Sequence, residues 1–307
     1  MLGHAVGDAL GVPVEFSSRE SLDECPVTDM KGFGTFPVPA GAWSDDTSMS
    51  LCAIDALAND NFNYELVMKN FGQWYYNDKY TPTGTTFDVG NTCSKAIENY
   101  YVKKKDINHC GLKGKLSNGN GSLMRIHPFV LFCFYEDDIY EPERMWDTVC
   151  QASEITHGHI RAQVGCAIYA MMLSALLETH DKTQLFRSID FVSTKIKGTE
   201  EYSVYQRILE QKIGTLERDQ IRSTGYVVDT LEAAVWCLLT TDSYEQCVLK
   251  AVNLGEDTDT VAAVAGGLAG ALYGLDAIPE KWLNMLLKRD LIEKMCVRAA
   301  HNWGGKK

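Results

Sequence analysis

The chain has 307 residues, 45% hydrophobic and 23% charged, which fits a folded protein with a sizeable core and excludes a disordered one. Twenty-nine Lys and Arg stand against 41 Asp and Glu, a net charge of −12; general nucleic-acid binding is therefore not expected, while a local site for a phosphate-bearing small ligand stays open. Ten scattered cysteines with no C-x-x-C pair argue against zinc ribbons and disulfide frameworks, and a start without a basic leader, with no 18-residue uncharged apolar run, predicts a cytoplasmic chain with no membrane span.

Residues 17–43, rich in Ser, Asp, Gly and Pro, read as a long loop of a length that is often functional. Apolar residues recur at three- and four-residue spacing over 46–58, 64–77, 91–104, 159–178, 201–214, 228–240, 243–253 and 258–274, which predicts helices there. Strand-like alternation is scarce, and most prolines fall between these segments. The short basic run Lys103–Lys105 at a helix end reads as a complement to the helix dipole. The last predicted helix, TDTVAAVAGGLAGALYG, is built of small residues that permit close backbone approach. It belongs in the middle of a bundle, with its N-terminal residues at the base of a pocket. One all-α domain accounts for the pattern.

Two acidic segments stand at predicted helix starts: Ser44-Asp45-Asp46-Thr47, and Gly255-Glu256-Asp257-Thr258-Asp259-Thr260. Either one alone reads as a helix cap, since Ser, Asp and Thr suit that position. Together they supply more carboxylates than caps require, and clustered carboxylates repel one another unless a cation lies between them. Their donors are all hard oxygens, which suit Mg²⁺, Mn²⁺ or Ca²⁺ rather than zinc or copper. Glu15 follows Gly7-Asp8-Ala9-Leu10-Gly11, and the loop Asn118-Gly119-Asn120-Gly121-Ser122 would let backbone approach a ligand, though an ordinary turn has the same composition. His157 and His159 lack partners for a zinc site, and Tyr226 reads as a core aromatic as readily as a ligand platform.

The ordered set GDALG-x-x-x-E, SDDT, GNGSLMR, TH, GYVVDTLEAA and GEDTDT resembles the ADP-ribosylglycohydrolase family from about residue 2 to residue 275. Ser44 stands where many members have Thr, and Glu256 where Gly or Asp is frequent; both leave the ligand oxygens in place. The resemblance implies a compact all-α orthogonal helical bundle, one domain over 1–307, around a central site for two Mg²⁺ or Mn²⁺ ions. It makes Ser44, Asp45 and Asp46 one group of metal ligands and Asp257, Asp259 and Thr260 the other. Glu15, with Asp45 and Asp259, takes the catalytic role, and Asp88, Gly119, Asn120, Gly121, Ser122, His157 and Tyr226 line the ADP-ribose cleft. The implied reaction is hydrolysis of the bond between ADP-ribose and an acceptor side chain by a monomer acting on ADP-ribose compounds or ADP-ribosylated protein. A dinuclear-metal phosphohydrolase, a non-catalytic ADP-ribose binder and a purely structural helical protein are the alternatives, and the acceptor is not legible.

Overall fold

Among the described residues of this computed structural model, 1–136 and 141–304, regular structure is helical apart from two isolated bridges. The helices in chain order are α1 (Leu2–Gly11), α2 (Arg19–Glu24), α3 (Asp45–Leu57), α4 (Tyr64–Asn77), α5 (Asn91–Tyr101), α6 (His127–Glu136), α7 (Pro142–Glu154) and α8 (Ile160–Thr179). They continue with α9 (Ile189–Ile196), α10 (Glu200–Val204), α11 (Gln206–Leu209), α12 (Val227–Leu239), α13 (Tyr244–Val252), α14 (Thr258–Tyr273), α15 (Glu280–Met285) and α16 (Arg289–Gly304).

The all-α expectation holds, with local differences. The predicted helix 201–214 is two short helices, α10 and α11, followed by a turn. Residues 17–43 contain α2, started by the Ser18 side chain accepting from Ser21 N–H. Helices α1, α6, α7, α9, α15 and α16 were not expected. Helix α6 is apolar nearly all round and carries little amphipathic period to read, whereas the short α1 buries its polar His4 and Asp8 with the rest of its residues. Helix α8 is apolar and long enough to cross a membrane by length and composition alone, with mean hydropathy 1.5. The share of that window buried inside the protein is 78%, so the core already satisfies its hydrophobicity.

Helix α14 sits against α1, α8, α12 and α13, and nearly all of it is buried. Its small residues let α1 come within backbone contact. A Cβ on Gly3 would lie 2.6 Å from the Gly266 carbonyl oxygen, one on Gly7 2.1 Å from that of Ala262, and one on Gly11 2.3 Å from the Asp259 Cα. The Thr258 hydroxyl then donates to the Gly11 carbonyl at 2.8 Å, closing the C-terminal end of α1 against the start of α14. This seam places Glu15, just beyond α1, beside the second acidic segment. All ten cysteines are free, as the spacing predicts.

Gly7→Ala should force α1 and α14 apart, because the new methyl meets a backbone carbonyl that has no rotamer to yield. We expect a loss of about 1–3 kcal/mol in denaturant unfolding. Gly114→Ala, whose nearest neighbour is the Ser117 hydroxyl at 3.7 Å, should change stability little; equal losses at both positions would mean that the seam is looser than described.

Candidate active site

Both acidic segments start buried helices, and their tips meet. Asp46 is fully buried at the start of α3, and Asp259 is 1% exposed at the start of α14. The Thr260 hydroxyl, 3.3 Å from Asp46 Oδ1, donates across the junction. Ser44 is the N-cap of α3, and a residue of another helix reinforces it. Asp8 on α1 accepts from Ser44 N–H at 2.8 Å, from Thr47 N–H at 3.0 Å and from the Thr47 hydroxyl at 2.6 Å. Ser44 itself makes only a long 3.4 Å contact with Asp46 N–H. Capping in trans leaves Asp45 and Asp46 free of the usual capping duty.

Several buried carboxylate oxygens point inward without a partner: Glu15 Oε2, Asp46 Oδ2, Asp257 Oδ1 and Asp259 Oδ2. Glu15, Asp257 and Asp259 each offer an oxygen within 4.8 Å of the others. Burial, then mutual repulsion, raises the carboxyl pKa of Asp45, Asp46 and Asp259 well above the usual range. Burial with the nearby Asp88, Asp257 and Asp45 charges lifts Glu15 to about 10. Asp88 is raised to about 6, by burial and then Asp257, and hydrogen-bonds Glu15. Asp257 is raised by burial and partly held down by Asn120, whose amide donates to it at 2.9 Å. Unpartnered buried oxygens, mutual repulsion and an all-oxygen donor set fit a hard divalent cation.

Glu15 and Asp257 line one side of a cleft of about 410 Å³, which also takes in Asp45, Asp88, Gly119, Asn120, Gly121, His157 and Thr260, while Asp46 and Asp259 are not part of its lining. No Lys or Arg lines it. The glycine loop is pinned from outside, with Asn120 N–H on the Gly225 carbonyl and Val227 N–H on that of Asn118, both at 3.0 Å. Gly90 N–H reaches Asp45 Oδ2 at 3.4 Å. Two expected cleft residues stand elsewhere. The Ser122 side chain is turned into the core, where its hydroxyl accepts from Ser153 at 2.8 Å. Tyr226 lies beyond the loop, opposite Gly119, and its hydroxyl accepts from Arg161 at 3.2 Å. The local role of Asp8, and the buried Arg125 below His157, were not read from sequence, although both lie inside the motifs GDALG and GNGSLMR.

All of residues 1–307 match the family model for ADP-ribosylglycohydrolase. The chain is 34% identical to the ADP-ribosylarginine hydrolase Tri1 of Pseudomonas putida (strain GB-1), over 96% of this chain and 75% of that one. It is 31% identical to the ADP-ribosyl-[dinitrogen reductase] glycohydrolase of Rhodospirillum rubrum, over 93% and 88%. A solved ADP-ribosylglycohydrolase-related protein complex superposes with a TM-score of 0.81 at 30% identity, covering 99% of this chain and 95% of its own. The chain therefore belongs to the ADP-ribosylglycohydrolase family, hydrolases that act on glycosyl bonds and cleave ADP-ribose from an acceptor.

Proposed function

We propose that this chain removes ADP-ribose from arginine side chains, at a site that holds two divalent cations, Mg²⁺ or Mn²⁺, between its acidic segments. The observation that carries the reading is the convergence of unpartnered buried carboxylate oxygens at the cleft base. Ser44, Asp45 and Asp46 would hold one side of the cation site, and Asp257, Asp259 and Thr260 the other. When bound, the cations offset the carboxylate repulsion and polarise the oxygens they ligate. Arginine as acceptor is supported by two relatives named ADP-ribosylarginine hydrolase, at 34% and 32% identity. It is supported also by charge: a guanidinium suits a cleft lined by Glu15, Asp45, Asp88 and Asp257 without a single Lys or Arg.

The chemistry follows from the same residues. Water attacks C1″ of the ribose as the C1″–N bond to the guanidine breaks, and positive charge builds on the sugar. Asp88 and its neighbouring carboxylates stabilise that charge. Glu15, which lines the cleft beside Asp88, gives a proton to the departing guanidine nitrogen and regains one from the attacking water. The products are free ADP-ribose and unmodified arginine. Across the cleft, Gly119 and Gly121 let the backbone approach the pyrophosphate, with His157 beside them.

Assayed with Mg²⁺ on ADP-ribosyl-arginine and ADP-ribosyl-serine, the protein should release ADP-ribose far faster from the arginine compound. Preference for serine would overturn the acceptor. Glu15→Gln should bind ADP-ribose within a few-fold of wild type and lose turnover on the order of 10²-fold. Near-normal turnover would place the acid elsewhere. The cation reading has a test apart from activity. At Mg²⁺ about 100 times its dissociation constant, wild type should gain roughly 2.7 kcal/mol of stability. Asp45→Ala and Asp259→Ala should lose most of that gain, yet cost little under chelator, where each removes one of several repelling charges. A deficit identical in chelator and Mg²⁺ would mark the residue as structural.

A further inference from the structure

The wall of the cleft formed by His157 is built differently from the acidic wall. His157 is 1% exposed, and its ring abuts the glycine loop. A Cβ on Gly121 would lie 3.3 Å from Nε2, and one on Gly119 3.8 Å. The other ring nitrogen, Nδ1, is 2.9 Å from the Thr156 hydroxyl oxygen. That oxygen has a second contact, with Arg125 Nη2 at 2.7 Å. Arg125 is fully buried. Its Nη2 also donates to the Ala152 carbonyl at 3.1 Å, and its guanidinium lies over the Phe71 ring at 4.7 Å. Nε and Nη1 have no hydrogen-bond partner, and no carboxylate pairs with the group among the described residues.

A guanidinium can only donate, whereas a hydroxyl carries one proton and accepts with its lone pairs. Thr156 must therefore accept from Arg125. Its own proton then has one acceptor in reach, His157 Nδ1. We infer that Arg125, acting through Thr156, is a positioning residue that locks His157 as the neutral tautomer with its proton on Nε2, presenting a hydrogen-bond donor to a pyrophosphate oxygen of ADP-ribose. The inference rests on the reading of this cleft as the ADP-ribose site.

The arrangement solves a problem set by the opposite wall. A histidine beside many carboxylates would ordinarily gain a second proton and pair with them. Burial, reinforced by the Arg125 charge, instead holds His157 down to about 3. The opposite tautomer would aim a lone pair at the phosphate oxygen and repel it. A buried guanidinium without a carboxylate is a liability for stability. A leucine or methionine in its place would remove that charge but could not donate to Thr156.

The test is the ¹⁵N spectrum of the histidine-labelled full chain, with His157 assigned by its loss in His157→Gln. We expect a protonated Nε2 and a bare Nδ1, unchanged between pH 5 and 8, where an ordinary histidine titrates. Thr156→Val keeps the shape and removes the hydroxyl. It should lose the single-tautomer signature and weaken ADP-ribose binding about tenfold, while Thr156→Ser restores both. If the valine variant does not fold, the wild-type and serine spectra decide the tautomer. A proton on Nδ1, titration within that range, or a Thr156→Val protein with unchanged tautomer and affinity would overturn the proposal. A locked Nε2–H tautomer in a protein that does not bind ADP-ribose would overturn the pyrophosphate assignment and, separately, the cleft reading beneath it.

Discussion

Burying carboxylates side by side costs free energy that rises with each added charge, unless solvent, a basic side chain or a cation compensates it. Here Glu15, Asp45, Asp88 and Asp257 line one cleft, with the buried Asp46 and Asp259 beside them. Among the described residues no Lys or Arg lines the cleft beside them. Their compensation is instead partial and local: a Gly90 N–H on Asp45, the Asn120 amide on Asp257, the Thr260 hydroxyl on Asp46. Each satisfies one oxygen and leaves others facing inward. A fold optimised only for stability would have replaced several of these acids with apolar groups of the same size. Their retention together is the mark of a site whose charge is completed from outside.

Holding such a cluster requires a rigid frame, because mutual repulsion acts to pull the segments apart. The frame is the seam between α1 and α14. Gly3, Gly7 and Gly11 bring the two backbones so close that neither helix can slide without a clash. Both acidic segments are then tied to it. The second segment is itself the start of α14. The first is tied by Asp8, which reaches from α1 to cap α3 with three hydrogen bonds. Cap and ligand are therefore not competing descriptions of one carboxylate, since a different residue on a different helix takes the capping duty. The buried Asp8 has its own pKa raised to about 7 by desolvation, opposed by those same donors.

Much of this was legible from sequence, for identifiable reasons. Apolar residues at three- and four-residue spacing mark α3, α4, α8, α12, α13 and α14, and the composition of α14 implies close packing with its N-terminal end at a pocket base. The two acidic segments were visible because acids in adjacent or near-adjacent pairs are more than a cap requires. What escaped were features that exist only between distant residues. Helix α1 is short and glycine-rich, and it buries even its polar His4 and Asp8. The use of Asp8 depends on a contact 36 to 39 positions away. Ser122 sits in a glycine loop whose neighbours line the cleft, yet the turn of the backbone sends its side chain to Ser153 in the core. Tyr226 pairs with the same loop from its far side.

The two walls of the cleft solve opposite electrostatic problems by the same means, which is control over where a proton or charge is permitted. On the acidic wall, burial and then the neighbouring carboxylates raise the proton affinity of Glu15, until a cation offsets their repulsion. On the other, a buried cation lowers the proton affinity of His157 and keeps it neutral. Exchanging the two arrangements would fail on both sides. A basic residue among the carboxylates would pair with them and take the oxygens that the cation site needs. An acid beneath His157 would favour an imidazolium, which the facing carboxylates would draw away from the glycine loop. Separating Arg125 from the acidic cluster, by placing it in the core behind Thr156, lets one small cleft hold a proton-transfer carboxyl, a cation site and a neutral hydrogen-bond donor without their neutralising one another.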